Sequence, residues 1–138
     1  MPALNLDAAE LATAKVRPGR IVKPLKVQPV LTYSLPKRRE ATSWRTWGGI
    51  QTEADLAAEQ QRITGELAKL KGKADFPVEI APLAAVANKE QAANIAKGDH
   101  DVMVIYDAGA WRDTLEALTL KDKFNLMFLR HDPGPVYL

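Results

Sequence analysis

The sequence predicts an α/β protein with an open parallel sheet covered by helices on both faces. Three observations support this prediction. Strand-like and helix-like segments alternate along the chain. The run DVMVIY at 101–106 is apolar after its first residue, which is typical of a strand buried on both faces. Two segments show helical periodicity behind residues that commonly cap helices.

Residues 1–22 are expected to form a peripheral N-terminal lead-in, a segment outside the main sheet, with a short helix that ends at Pro18-Gly19. The first strand is expected at residues 26–33, KVQPVLTY, because its β-branched and aromatic residues favour extended structure. Pro29 cannot donate to a ladder of hydrogen bonds. It therefore indicates an edge strand or a bulge.

The first helix is expected to begin after Thr52 as N-cap, with Glu53 and Asp55 favoured by the positive end of the helix dipole. Gly72 is expected to stop it. The spacing predicts an apolar face made of Leu56, Ile63, Leu67 and Leu70.

A short strand is expected at residues 76–80. Asn88 should then cap a second helix, with Gln91 completing a capping box and Gly98 ending the helix. The remaining elements are a strand at 101–106, a third helix with Trp111, Leu115 and Leu118 on one face, and a strand at 125–129, NLMFL.

This order of elements predicts a flavodoxin-like or Rossmann-like half with strand order 2-1-3-4. The last residues, 136–138 (VYL), read as a strand that is cut short. We therefore expect residues 23–138 to be the α/β N-terminal domain of a longer enzyme, truncated at its last strand.

Composition and charge limit the classes of function. The 138 residues contain no cysteine, which excludes disulfides, zinc–thiolate sites and cysteine nucleophiles. Neither a signal peptide nor a membrane span is visible, so a cytoplasmic protein without membrane partners is expected. The net charge is +2, yet residues 15–47 hold nine basic residues and one acid. Such a basic segment suggests an anionic or polyhydroxyl ligand, or a partner, although a solvated basic face explains it equally well.

Parallel sheets bind ligands at the carboxyl ends of their strands, beside the point where strand order reverses. Here that crevice should lie between the first and third strands, flanked by the loop 34–51 and by Asp107. The loop is long for a connection, offers forked donors and flat aromatic faces, and ends near the free N–H groups of a helix start. Its candidate ligand-binding residues are Arg38, Arg39, Trp44, Arg45, Trp47 and Gly48.

Structural explanations compete with these assignments. One tryptophan could plug the sheet edge while the arginines are solvated. Asp107 could bind ligand or cap the following helix. His131 and Asp132 suit an acid/base or metal role less well than an ordinary turn, and His100 is expected to be structural. Phosphate-loop, dinucleotide-fingerprint, HExxH and GxSxG motifs are absent from the sequence.

Three stretches carry a family resemblance: TWGGIQTE at 46–53, DVMVIY at 101–106, and the ending NLMFLRH with PGPVYL. With these, the chain from Lys23 onward resembles the N-terminal part of the L-fucose/L-arabinose isomerase-like sugar isomerases. The distinctive part is TWGG together with the glycine-proline ending.

The resemblance implies aldose–ketose interconversion supported by a divalent metal, usually manganese. It implies that the loop after the first strand contacts sugar in a neighbouring subunit's site, with Arg38 or Arg39 as the basic contact. The metal ligands, two carboxylates and a histidine, would come from later domains. We therefore expect no catalytic residues, metal site or cofactor in this segment, which alone would be inactive, and we expect a homo-oligomer.

Two further functions remain open at this stage. A flavodoxin-like domain could hold a small anionic ligand at the same crevice and catalyse nothing. The basic segment with its tryptophans could bind nucleic acid weakly. Nucleic acid is the less favoured partner, because the basic residues are split over two segments and the whole chain is almost neutral.

Overall fold

The computed structural model describes residues 23–37 and 49–129, and the predicted α/β fold is confirmed within these ranges. The expectations for the lead-in, for the middle of the 34–51 loop and for residues 130–138 lie outside them. The elements are β1 (Leu25–Tyr33), α1 (Glu53–Lys73), β2 (Val78–Ile80), β3 (Ala84–Val86), α2 (Lys89–Ala96), β4 (Val102–Ala108), α3 (Arg112–Leu118) and β5 (Phe124–Leu129).

All pairings in the sheet are parallel, and the strands follow the order β2-β1-β4-β5. This is the predicted order 2-1-3-4, because β4 and β5 are the third and fourth strands expected from the sequence. The short strand β3 was not expected. It pairs with the second half of β1, while β2 pairs with the first half, so the two together form one interrupted edge.

Pro29 explains the interruption. Backbone groups of Val27 face β2, since the Ala81 N–H donates to the Val27 carbonyl at 2.9 Å. Those of Pro29 face the same side because bonding direction alternates along a strand, but proline has no N–H to offer there. The side-chain amide of Gln28 donates to the carbonyls of Pro29 (3.0 Å) and Pro82 (3.3 Å) and closes the gap. Of the two expected settings for Pro29, an edge strand or a bulge, the edge strand was wrong, because β1 is central. The interruption lies in the neighbouring strand instead.

Each face of the sheet carries its own apolar core. Helix α1 covers one face, and helices α2 and α3 cover the other. Complete burial of a large aliphatic side chain contributes about 1.5–3 kcal/mol to stability. The α1 face buries Leu31, Ile50, Leu56, Ile63 and Leu67, and the α2/α3 face buries Val30, Val86, Ala92, Met103, Ile105 and Leu118.

Helix α1 begins with a capping box. The Thr52 hydroxyl accepts the Asp55 N–H at 3.2 Å, and the Asp55 carboxylate accepts the Thr52 N–H at 3.0 Å. Two details of the predicted helix were wrong. It continues through Gly72 to Lys73, and Leu70 is 61% exposed because it lies beyond the edge of the sheet-facing stripe.

Helix α2 begins as predicted at Asn88, whose side chain accepts the Gln91 N–H at 3.0 Å. In the expected capping box the Gln91 side chain would accept from the Asn88 N–H, but its donor lies one residue earlier. The Gln91 side chain accepts from the Ala87 N–H at 2.9 Å and thereby ties the end of β3 to the first turn of the helix.

The strand β5 differs from the others because every one of its residues is exposed. It forms the outer edge of the sheet beside β4 within the described ranges. Among the helices of these ranges, none combines the length and apolar character needed to cross a membrane.

Candidate functional site

The point where strand order reverses lies between β1 and β4, as the topology predicted. β1 leads through α1 to β2 on one side, whereas β4 lies on the other side and leads to β5. At the carboxyl ends of these two strands, Thr32 and Asp107 are register partners. The Thr32 hydroxyl donates to Asp107 Oδ1 at 2.9 Å, so a hydrogen bond joins the two walls of the crevice.

Asp107 has two oxygens in different surroundings. Oδ1 also accepts the N–H groups of Gly109 (3.2 Å) and Ala110 (3.1 Å), which makes three donors in all. Within the described ranges, no hydrogen bond goes to Oδ2. The alternative that Asp107 caps the following helix was wrong, because the N-cap residue of α3 is Trp111 and has no side-chain cap. Oδ1 holds the turn before α3 instead, and Oδ2 is the atom that a ligand could use.

The turn after Asp107 depends on Gly109, whose φ of 121° is strained for a residue with a side chain. A Cβ atom at Gly109 would lie 3.7 Å from the Ser34 backbone nitrogen. The loops that follow β1 and β4 therefore touch where they leave the sheet. This contact brings the start of the 34–51 loop to the crevice.

The candidate ligand-binding residues of that loop lie outside the described ranges; these are Arg38, Arg39, Trp44, Arg45, Trp47 and Gly48. Both described ends of the loop are anchored. Leu35 packs against the α1-side core, and Ile50 is 3% exposed within it. The helix start that follows already binds an internal anion, because the Asp55 carboxylate accepts the N–H groups of Gln51 (3.1 Å) and Thr52 (3.0 Å). The N–H groups of Gln51, Thr52 and Asp55 are thus occupied.

A cavity of about 310 Å³ opens at the same end of the sheet, on the α1 side. Its floor includes the rings of Tyr106 and Phe128, which stack with centroids 5.4 Å apart and planes at 25°. Burial raises the pKa of the Tyr106 hydroxyl, which keeps it protonated as a donor. The lining residues are Leu31, Glu59, Arg62, Tyr106, Asp107, Ala108, Phe128 and Leu129.

Arg62 supplies the polar rim of this cavity. Glu59 accepts from its Nη2 and Nε atoms at 2.6 and 3.1 Å, and Glu66 accepts from Nη1 at 2.6 Å. The hydrogen bonds to Glu59 are the largest cause of the raised pKa of the guanidinium, which stays charged. Sequence reasoning missed Arg62 and Tyr106, although the acidic residues three before and four after Arg62 are visible in the sequence.

Trp111 was expected on the apolar face of the third helix, and this was wrong. It is the N-cap residue of α3 and is 76% exposed, because the turn at Gly109 delays the helix start to Arg112. It lines a second cavity, of about 540 Å³, at the carboxyl-end side of the sheet. The other lining residues are Ala87, Asn88, Lys89, Arg112, Asp113, Thr114 and Glu116.

His100 lies at the opposite end of the sheet, just before β4, which agrees with its expected distance from the crevice. It is 4% exposed, and among the described residues neither ring nitrogen makes a hydrogen bond of good geometry, although the Gly98 backbone lies close enough to favour the charged form. Burial is the main cause of its lowered pKa, and the nearby Lys123 ammonium lowers it further. The side chains of Lys26 and Asp99 pair close by, which raises the pKa of the lysine and lowers that of the carboxyl.

Metal-ligating residues do not gather in groups of three or more anywhere in residues 23–37 and 49–129. His131 and Asp132 fall outside these ranges. Comparisons of the chain with protein-family models, curated proteins and solved structures gave no match. The geometry of the site itself offers hydrogen-bond acceptors, a charged guanidinium and aromatic faces around an open crevice.

Proposed function

We propose that this chain is the N-terminal domain of a sugar isomerase-like protein and contributes substrate and inter-subunit contacts at its crevice. The observation that carries the proposal is the Thr32–Asp107 pair at the strand-order reversal, with one carboxylate oxygen engaged three times and the other left to a ligand. A sugar hydroxyl donates well to such a carboxylate oxygen.

A cavity at the same end of the sheet supports a polyhydroxyl ligand. The cavity on the α1 side combines stacked rings, Tyr106 with Phe128, and the charged guanidinium of Arg62. Flat apolar faces beside polar groups match a sugar ring, which has weakly polar C–H faces and hydroxyls on its rim. The loop 34–51 leaves β1 at the same place and carries the arginines and tryptophans that the family resemblance assigns to sugar.

A manganese ion belongs to this proposal only through the resemblance. The described residues do not fit a metal site, since they contain no suitable group of ligands. In the proposed reaction, Asp107 and Arg62 orient hydroxyl groups, and the aldose–ketose chemistry takes place on groups from other domains.

The first experiment measures sugar binding. Pentoses and 6-deoxyhexoses are titrated into the ¹⁵N-labelled chain, and we expect the amide signals of Gly109 and Ala110 to shift, because both bond to Asp107. Asp107→Asn should weaken binding about tenfold, which corresponds to about 1.4 kcal/mol. Asp99→Asn is the matched control, because this carboxylate is exposed at the far end of the sheet.

The second experiment measures aldose–ketose conversion by the longest natural chain that contains this domain, with and without manganese. Conversion that falls on Asp107→Asn, with the control unchanged, supports the proposal. Absence of turnover on every pentose and 6-deoxyhexose would count heavily against it. Sugar binding without turnover favours the second candidate, a non-catalytic small-ligand-binding domain, which the same Thr32–Asp107 crevice would serve.

A further inference from the structure

The larger of the two cavities at the carboxyl ends of the strands lies on the face of the sheet that α2 and α3 cover. It has a volume of about 540 Å³, and it opens between the end of β3, the start of α2 and the start of α3. Small-molecule sites commonly measure about 300–1,000 Å³. We call it the Trp111 cavity, after the aromatic side chain that lines it.

Trp111 is the only tryptophan of the described ranges, and it is 76% exposed. The core does not use it, because Leu115 and Leu118 supply the apolar face of α3. Tryptophan presents a large flat surface at a small cost in conformational entropy, since its side chain has only two rotatable bonds. The indole is therefore available to stack on the face of a ligand.

The charged groups that line the Trp111 cavity balance each other. Lys89 and Arg112 carry two positive charges, and Asp113 and Glu116 carry two negative charges. Arg112 is already paired, because its Nε donates to Glu116 at 2.7 Å. An ionic ligand would meet as many charges of its own sign as of the opposite sign. The charge pattern thus favours a neutral ligand.

The walls of the cavity offer both donors and acceptors of hydrogen bonds. Asn88 Oδ1 accepts the Gln91 N–H at 3.0 Å, and within the described ranges no group accepts from Asn88 Nδ2. Asp113 Oδ1 accepts the Thr114 N–H at 2.8 Å, and no described group donates to Asp113 Oδ2. A sugar hydroxyl both donates and accepts, so neighbouring hydroxyls can use an amide and a carboxylate together. A flat apolar face with such groups at its rim matches a sugar ring.

The places where the described ranges end lie away from this cavity. Residue 23 precedes β1 at the amino end of the sheet, which is the opposite end. The loop 34–51 is anchored at both described ends on the α1 face, through Leu35 and Ile50. Residues 130–138 follow the outer strand β5. No adjoining stretch of the chain therefore starts on the face that holds the cavity, which favours a ligand as its occupant.

We propose that the Trp111 cavity binds a neutral carbohydrate, with one sugar ring stacked on the indole of Trp111 and its hydroxyls on Asn88 and Asp113. Binding here does not depend on the sugar contact at Asp107, because the two cavities share no lining residue. They open on opposite faces of the sheet at the same end. The chain would thus hold saccharide at two separate places.

Titration of the ¹⁵N-labelled full chain with neutral mono- and disaccharides tests this site. The reporter is the indole N–H of Trp111, which is identified by its absence in Trp111→Phe. We expect it to shift with dissociation constants in the millimolar range, because the cavity is open to solvent. In variants without the indole, the amide signals of Asn88 and Asp113 report binding. Trp111→Ala should weaken binding at least about tenfold, whereas Trp111→Tyr should keep part of the affinity because it retains a flat ring.

Phe124→Ala is the matched control, because Phe124 is an aromatic residue of nearly equal exposure, 77%, that does not line the cavity. It should leave the affinity unchanged. The charge balance is tested with a neutral sugar and its uronic acid, of which the native chain should bind the acid more weakly. Asp113→Asn leaves one positive charge in excess and should narrow this difference.

An indole signal that no saccharide shifts would overturn the proposal, and slow exchange of that N–H with solvent would then show that another part of the chain fills the cavity. Binding that survives Trp111→Ala, or adenosine binding tighter than every saccharide, would overturn it as well. Asp107→Asn distinguishes the two sugar sites, because it should leave binding at Trp111 unchanged. An equal loss in Asp107→Asn and Trp111→Ala would mean a single site and exclude a separate one.

Discussion

Thr32 and Asp107 face each other across β1 and β4, and the hydroxyl of the first donates to Oδ1 of the second at 2.9 Å. Thr32 is completely buried, so its hydroxyl has no water to replace this bond. The pair therefore connects a buried side chain of the core, Thr32, to a carboxylate at the crevice, Asp107. One side of the carboxylate is fixed by the sheet and by the turn at Gly109, which leaves the other oxygen in a defined position.

Thr32→Val should lower the free energy of unfolding by about 1–3 kcal/mol, because it keeps the side-chain shape but removes a hydrogen bond to a charged group. Urea unfolding monitored by circular dichroism measures this change. Thr64→Val on the exposed side of α1 is the control and should change stability by less than about 0.5 kcal/mol. Equal stability of the Thr32 variant and the native chain would show that the hydroxyl contributes nothing.

Gly109→Ala should destabilise the protein by about 1 kcal/mol or more, because a side chain disfavours the φ of 121° at this position. Gly65→Ala is the matched substitution, and we expect it to raise the stability of the protein instead of lowering it. Gly65 lies in α1, and nothing approaches the position of its missing Cβ within 4 Å, so alanine should stabilise the helix by about 0.5–1 kcal/mol. Thermal unfolding should therefore show a lower midpoint temperature for Gly109→Ala and a higher one for Gly65→Ala than for the native chain.

The buried imidazole of His100 predicts a loss of stability in acid. Burial and Lys123 lower its pKa in the folded state, while the Gly98 backbone and then the carboxylates of Asp101 and Asp99 oppose this shift. The unfolded chain then binds a proton near pH 6.5 that the folded chain resists. The contribution of the neutral ring is complete above that pH and is lost as the pH falls below it, by up to about 1.4 kcal/mol per pH unit.

His100→Phe should remove this part of the pH dependence, because it replaces a buried imidazole by an apolar ring that does not titrate. Urea unfolding of both proteins from pH 8 to pH 5 measures the difference. His131 remains in both and cancels. Parallel curves over this range would mean that His100 is protonated equally well in the folded and unfolded states.

Trp111→Ala should leave the free energy of unfolding within about 0.5 kcal/mol of the native value, since the side chain is 76% exposed. Met103→Ala provides the contrast: this side chain is fully buried, and its truncation should cost about 2–5 kcal/mol. A large loss in the tryptophan variant would restore Trp111 to the apolar face that the sequence suggested.

Local signals predicted much of this fold. The caps at Thr52 and Asn88 and the apolar run at 101–106 depend on neighbouring residues, and all three were identified from the sequence. The strand order followed because right-handed crossovers restrict a chain of alternating strands and helices to few arrangements. The position of the strand-order reversal between β1 and β4 followed by the same route, whereas the binding role of the residues beside it stays a prediction.

Other features depend on contacts between distant residues. Strand β3 is three residues long, and it forms because β1 offers it a partner beyond Pro29. The exposure of Trp111 follows from where the Gly109 turn ends, which periodicity does not reveal. The stacking of Tyr106 on Phe128 needs the register between β4 and β5. Each of these is decided by tertiary structure rather than by the local pattern.

Pro29 also affects the chain while it is being synthesised. β1 leaves the ribosome first, yet Asp107, the register partner of Thr32 on β4, follows 75 residues later. At about 5–20 residues per second, the central strand waits about 4–15 s for that neighbour. An apolar strand in this state can pair with other nascent chains. A proline at its middle removes one donor from the exposed edge, so the residue that breaks the finished sheet also shields its first strand from premature pairing.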